Sequence, residues 1–426
     1  MAKNAFDELQ ERGFIQQVTD LEQVKQLLGR ESTTFYVGID PTADSLHVGH
    51  LMAIMGMAHM QRCGHRPIAI VGGGTAMVGD PSGKTEMRKM LTRDQIVANS
   101  AKIKMQLGRY LDFANGKALL IDNYDWLGGL NYIEFLRDIG RHFSVNRMLT
   151  FETYKRRMET GLSFLEFNYQ LLQAYDFYML FKREKCRLQM GGDDQWANIL
   201  AGADLIRRIE NQDAFGITFP LITTASGAKM GKTEKGALWL DAEKTTPYDY
   251  FQYWINIDDR DVVRFLFYFT FLPAAEIKAI EKMDGAQLNL AKTVLAFEAT
   301  RITHGEEQAK QALAAAAAAF GSRPIPADLL PSSTIPRQMQ AVDANIPGRD
   351  ISRGDLQKQL KLVEVMSEVG LTSSKGEARR LIRQGGVTVN EQRVDDEELV
   401  LTEELVIDGK IMLRLGKKRY FQLLVS

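Results

Sequence analysis

The sequence predicts a three-part chain: an α/β domain on a parallel sheet, an all-helical region, and a small α+β module at the carboxyl end. Three observations carry this. Short apolar, β-favouring runs at 35–39, 67–71, 118–121 and 187–190 each end in turn residues, as buried parallel strands do. From residue 246 to 320 only helical periodicity remains. The tail then mixes a basic helix with short strands after a Gly-Gly turn. The expected boundaries are 1–245 for the α/β domain, with a connective segment at about 122–160, then 246–320 for the helices. Residues 321–352, with prolines at 324, 326, 331, 336 and 347, read as a linker, and 353–426 as the last module.

Composition narrows the function classes. At 426 residues and a net charge of −1, the chain has ample core, and any nucleic-acid contact must come from local basic patches. Only Cys63 and Cys186 occur, which argues against a disulfide framework and suits a reducing compartment. The charged amino terminus lacks a signal-peptide core, and no apolar run approaches membrane-spanning length. A cytoplasmic protein with no membrane partner is expected.

Taken in order, residues 1–33 read as helices with Leu21, Val24, Leu27 and Leu28 on one face. FYVGIDPTADSLHVGH, residues 35–50, joins a strand (Phe35, Tyr36, Val37, Ile39) through turn residues to a helix. Asp44 or Ser45 is the expected cap, and Leu46, Val48, Leu51, Ile54 and Met55 return at helical spacing. His47-Val48-Gly49-His50 then falls in the first turn, where backbone N–H groups and the positive end of the helix dipole suit a phosphate. Gly49 leaves the backbone bare, and two imidazoles flank it as donors. Alone, this pair of histidines reads first as structural.

The run 67–71 opens into Gly72-Gly73-Gly74-Thr75, a loop delivered to a sheet edge where ligands gather. Neither GKT is a P-loop, because Val78 and Ser226 stand where glycine is required. The segment to about 159 carries Arg141, His142, Arg147, Lys155, Arg156 and Arg157 among aromatics, either a solvated face or a nucleic-acid contact. Within 164–177, Tyr169, Gln173 and Asp176 share one face of a largely apolar helix and need polar partners, from a buried network or a ligand. The run 187–190 leads into GGDDQW, whose acidic residue can accept from a ribose hydroxyl. Residues 229–233, KMGKT, lie between Gly227 and Gly236, flanks suited to closing over a ligand.

Helices are expected at 248–256, 259–271, 274–281, 288–304 and on to 320. In the tail, a helix over 356–369 ends at Gly370. Ser373 or Ser374 caps a second that exposes Lys375, Arg379, Arg380 and Arg383. Gly385-Gly386 turns into a strand at 387–390, and Asp408-Gly409 and the stretch 416–420 read as hairpin turns.

The string Pro41-x-x-x-Ser45-Leu46-His47-x-Gly49-His50, with Lys229-Met230-Gly231-Lys232-Thr233 far downstream, resembles the HIGH and KMSKS signatures of class I aminoacyl-tRNA synthetases. Adding Tyr36, Asp80 in GDPS, the Tyr169/Gln173/Asp176 face and GGDDQW, nearly the full length resembles the bacterial tyrosyl-tRNA synthetases. Two positions depart from that family: it commonly has Ser where Asp193 stands and often Phe at Met230, neither expected to do chemistry.

The resemblance implies a Rossmann-like catalytic domain, the helical domain on the anticodon side, and a tail of the S-four-type (alpha-L) RNA-binding fold that touches tRNA through Lys375, Arg379, Arg380 and Arg383. It further implies a homodimer whose connective segment forms the interface and touches the acceptor arm. Substrates would be L-tyrosine, ATP with its magnesium, and tRNA(Tyr), with no protein-held metal. By resemblance, Tyr36 and Asp176 meet the substrate phenol; Asp80, Tyr169 and Gln173 hold its ammonium; Gln195 lies near its carboxylate. Gly38, Asp40, Gly49 and Gly192 line the ATP site, and Asp194 accepts from its ribose, beside which His50 lies. Thr42 and His47 donate to the γ-phosphate, while Lys84, Arg88, Lys229, Lys232 and Thr233 hold the departing pyrophosphate. Two rivals stay open: a synthetase for another amino acid, tryptophan being nearest, and an RNA-binding protein that keeps this body without activity. Intact HVGH and KMGKT argue against the second, and a Tyr36/Asp176 pair suits a phenol better than an indole.

Overall fold

A computed structural model describes residues 4–80, 91–227, 230, 232–233, 236–320, 324–337, 348–357, 360–390, 392–407, 409–416 and 419–425. The chain forms two compact units, residues 1–309 with 325–337, and residues 310–324 with 338–426.

The first unit is organised by a six-stranded sheet. Its strands are β1 (Gln17–Val18), β2 (Thr34–Ile39), β3 (Arg66–Val71), β4 (Leu119–Asp122), β5 (Leu188–Gly192) and β6 (Phe215–Phe219), in the order β1-β6-β5-β2-β3-β4. All neighbours are parallel except β1, which runs antiparallel to β6. The chain moves outward from β2 through β3 to β4, then restarts on the other side at β5, so the strand order reverses between β2 and β5. In a doubly wound sheet the crevice beyond that reversal is where ligands bind. The apolar run at 67–71 is the fully buried strand expected, and the strand expected at 187–190 forms as β5, buried from Leu188 to Gly191, whereas β1 and β6 were not foreseen.

Helix Phe164–Glu184 covers one face of the sheet with helix Trp196–Glu210. Gly202 allows their close approach, since a Cβ there would come within 2.8 Å of the Phe177 ring. Ser163 caps the longer helix, and Glu166 completes a reciprocal capping box.

The helices Pro247–Ile255, Val262–Phe269 and Gly285–His304, expected as a domain of their own, belong to the same compact unit as the sheet. They pack around the fully buried Trp254, Phe265 and Phe269. Arg12, from the amino-terminal stretch, donates to the carbonyls of Phe267, Thr270 and Leu272, satisfying groups that the end of helix Val262–Phe269 leaves open. The expected linker is also corrected in part. Ser332 N–H donates to Glu276 at 3.0 Å and Ser333 Oγ to Glu298 at 2.6 Å, so residues 325–337 are tied down onto these helices.

In the second unit, β7 (Gly348–Ile351) lies inside the stretch read as linker and pairs in parallel with the last strand. With β8 (Val387–Val389), β9 (Gln392–Arg393), β10 (Lys410–Leu415) and β11 (Arg419–Val425) it forms a sheet in the order β9-β8-β10-β11-β7. The helix expected over 356–369 is divided into Arg353–Gln357 and Leu362–Glu368. Ser374 caps the helix Lys375–Arg383, whose Ala378 and Ile382 enter a core with Leu362, Met366 and Leu413.

Candidate active site

One cavity of about 630 Å³ opens at the strand reversal. It is lined by Tyr36, Gly38, Asp40, Thr42, His47, Gly49, His50, Asp80, Tyr169, Gln173, Asp176, Gly192, Asp194 and Gln195, the whole expected set whose side chains are described. Lys84, Arg88 and Lys229 lie outside the described residues, as do the side chains of Lys232 and Thr233. The backbone of Lys232 and Thr233 forms a two-stranded turn with Gly236 and Ala237, and Ala237 lines the same cavity as His47.

The two signature segments meet through the main chain. Val48 N–H donates to Leu238 O and Leu240 N–H to Leu46 O, both at 2.9 Å, so the chain leaving KMGKT is paired with the chain entering HVGH. Gly49 is required there because a Cβ would come within 2.8 Å of the His47 ring.

The turn itself corrects one expectation. Its cap is His47 rather than Asp44 or Ser45, and its backbone donors are already used. Gly49 N–H goes to His47 Nδ1 at 3.0 Å, His47 N–H to His50 Nδ1 at 3.1 Å, and His50 N–H to His47 O at 2.8 Å. A phosphate at this turn would therefore have to be met by side chains. With each Nδ1 accepting, each neutral imidazole carries its hydrogen on Nε2 as a donor. Burial keeps the His47 pKa below the ordinary value, so the ring is neutral at pH 7. Asp44 instead pairs with Lys102 and Lys244.

At the opposite end, Tyr36 and Asp176 lie deep between β2 and the long helix, 1% and 3% exposed. Asp176 accepts from Trp126 Nε1 and Asn123 Nδ2, each at 2.8 Å, while Asn123 accepts from Gly74 N–H at 2.7 Å. Burial pushes the Asp176 carboxyl up to about 7, despite these two donors. Among the described residues the Tyr36 hydroxyl has no hydrogen-bond partner, nor has Gln189 Oε1 on β5 beside it. A buried hydroxyl left unpaired in a cavity is a place for a ligand.

Between the two ends, Gln195 Nε2 donates to Asp80 at 2.9 Å, and Asn198 Nδ2 donates to Gln173 at 2.9 Å and to Gln195 at 3.1 Å. Asp194 is pushed up by burial and by the nearby Asp80. The departure at Asp193 has a structural use: its carboxylate accepts from Gln17 at 2.6 Å and from Thr218 at 2.8 Å, fixing the turn onto β1 and β6.

Sequence reasoning gave no role to Asn123, Trp126, Gln189 or Asn198, and read Thr75 only as part of a loop at the sheet's edge. For Asn123 and Trp126 a signal existed, since they directly follow an apolar strand and so lie at the sheet's carboxyl edge. In the second unit, Lys375, Arg379, Arg380 and Arg383 do share one helix, but three of the four are paired. Lys375 meets Glu364 at 2.6 Å, Arg379 meets Glu398 at 3.0 Å, and Arg383 meets Glu397 at 2.7 Å.

A family model for class I tRNA synthetases (W and Y) matches residues 29–321. The sheet, the crevice at its reversal and this match define a class I aminoacyl-tRNA synthetase. A second model, for the C-terminal domain of SYY-like tyrosine–tRNA ligases, matches residues 338–423. The tyrosine–tRNA ligase of Desulfosudis oleivorans is 57% identical across 98% of both chains, and that of Desulfatibacillum aliphaticivorans 55% identical across the whole of both. The chain belongs to the tyrosine–tRNA ligase family. Among solved structures, the truncated mitochondrial tyrosyl-tRNA synthetase of Aspergillus nidulans superposes with a TM-score of 0.66 at 32% identity, covering 73% of this chain and 92% of that one. The Archaeoglobus fulgidus enzyme complexed with L-tyrosine shares the fold at 15% identity and a TM-score of 0.56, covering 72% of this chain and 99% of that one.

Proposed function

We propose that the chain activates L-tyrosine with ATP and transfers it to the 3′-terminal adenosine of tRNA(Tyr). The tyrosine carboxylate attacks the α-phosphorus, the bond to the bridging oxygen breaks, and pyrophosphate leaves. The ribose hydroxyl of the tRNA end then attacks the carbonyl of tyrosyl-adenylate and AMP departs. No protein nucleophile is needed, because the attacking carboxylate is already ionised. Catalysis consists of alignment and of neutralising charge that grows on the phosphates.

The observation that carries this reading is the cavity itself, with an unpaired tyrosine hydroxyl at one end and two imidazole donors at the other. The substrate phenol lies between Tyr36 and Asp176. Its ammonium is held by Asp80, Tyr169 and Gln173, and its carboxylate lies near Gln195. Asp40, Gly38, Gly192 and Asp194 receive the nucleotide, with His50 by its ribose. Thr42 and His47 meet the γ-phosphate, and Lys84, Arg88, Lys229, Lys232 and Thr233 take the pyrophosphate. Magnesium enters with ATP as the counter-ion of its phosphates.

The enzyme works as a cytoplasmic homodimer joined through its connective segment, a reading supported by the exposed apolar side chains of Tyr132, Ile133, Leu136 and Val145 there. The second unit binds tRNA through the helix Lys375–Arg383. No described helix is long and apolar enough to cross a membrane. Exchange of labelled pyrophosphate into ATP, dependent on tyrosine, tests the reading. Exchange that follows tryptophan instead, or no exchange at all, overturns it.

A further inference from the structure

Asn198 is no part of the site read from the sequence and does not line the cavity. It stands in the first turn of helix Trp196–Glu210, 5% exposed. Both of its amide hydrogens are directed at glutamine oxygens, Oε1 of Gln173 at 2.9 Å and Oε1 of Gln195 at 3.1 Å. The other end of the Gln195 amide donates to Asp80 Oδ2 at 2.9 Å. The two ends of a carboxamide are nearly equal in size, so packing does not distinguish them; only hydrogen-bond partners do.

With Asn198 as the donor, Gln195 has one consistent orientation, oxygen toward Asn198 and nitrogen toward the Asp80 carboxylate. Gln173 is turned the same way, and its carbonyl keeps a second lone pair for a further donor. Every link from Asn198 to Asp80 then runs from donor to acceptor. If either glutamine turned over, two donors or two acceptors would face each other in a buried site.

We propose that Asn198 is a positioning residue that sets the polarity of the amino-acid pocket, orienting Gln173 so that its carbonyl, with Asp80, faces the substrate ammonium, and Gln195 so that its nitrogen holds the Asp80 carboxylate in place. This rests on the reading of the cavity as a tyrosine site. Asn198→Asp keeps the shape and removes both donors, setting a carboxylate against two amide oxygens. If both glutamines turn to satisfy it, the Gln195 carbonyl is brought against Asp80.

The measurement is tyrosine-dependent pyrophosphate exchange, with KM for tyrosine, KM for ATP and kcat determined separately. For Asn198→Asp, KM for tyrosine is expected to rise about tenfold or more, the worth of one or two mispaired buried groups. KM for ATP and kcat should stay within about twofold, since Asn198 reaches neither the nucleotide nor the phosphates. Asn198→Ser, which restores one hydroxyl donor, should fall between. A merely structural role would move all three constants together. Wild-type KM for tyrosine in the Asp variant, or in the Ser variant should the Asp variant not fold, overturns the proposal, as does a parallel rise in both KM values. Absence of tyrosine-dependent exchange in the unmutated enzyme would instead remove the reading beneath it.

Discussion

The pocket proposed for the amino acid and the basic helix of the second unit both pair most of their polar side chains, yet they hold them under opposite conditions. In the pocket Asp176, Asn123, Trp126 and Asn198 are buried and interlocked. On the helix, Lys375, Arg379 and Arg383 reach Glu364, Glu398 and Glu397 in the open, and Glu398 is shared with Lys361. Water can replace a lost partner on the helix and not in the pocket. The same kind of contact should therefore fix specificity in one region and only tune charge in the other.

The sharpest way to break this contrast is Arg157, which lies 6% exposed and forms a bidentate pair with Glu166, 4% exposed, one helical turn before Tyr169. Arg157→Met leaves that carboxylate buried without its cation, and urea unfolding should show a loss of about 3–5 kcal/mol. A loss below about 1 kcal/mol would put this pair in the surface class.

Asp176 gives an effect of similar size through pH. Its pKa in the folded chain, about 7, lies above the ordinary 3.8, so the native state holds the proton more tightly than the unfolded chain. Stability is then lost as pH rises from about 4 to 7, and Asp176→Asn lacks that loss. The variant's stability relative to wild type, followed by unfolding of the ligand-free protein, should climb by roughly 4 kcal/mol across that window. A flat difference would mean that the two donors cancel the effect of burial.

Tyr36→Phe removes a hydroxyl that has no partner among the described residues, so the fold should be little affected. The substrate phenol loses one hydrogen bond, and the ratio of kcat/KM for tyrosine over phenylalanine should fall by a factor of about 5–150. An unchanged ratio would take Tyr36 out of the phenol site. Smallest is Glu398→Gln, which frees Lys361 and Arg379. Filter binding of tRNA should change by less than about threefold at physiological salt, and more at low salt.

Much of the pocket was legible because helical spacing is a reliable ruler. Tyr169, Gln173 and Asp176 had to share a face, and that face does line the cavity. The next position on it, Glu166, went unread because its partner Arg157 comes from a separate helix. Asn198 escaped in part for the same reason, since one of its glutamines, Gln173, lies on another helix, although Gln195 stands only three residues before it.

The HVGH turn does line the cavity, but its backbone chemistry was not read. Nothing in HVGH announces that His47 and His50 fold back to occupy their own backbone donors. Among the strands, two-residue β1 is too short to carry a period. The proline-bearing stretch looked loose because its anchors, Glu276 and Glu298, lie in helices far away in sequence.

The match to the family begins at residue 29, a natural place to trim a recombinant protein. Gln17 makes such a cut unsafe. Its amide holds Asp193, the neighbour of the cavity-lining Asp194, and its strand covers the edge of β6. Removing residues 1–28 would strip that edge and loosen the GGDDQW turn at one stroke, although among the described residues none before 29 lines the cavity.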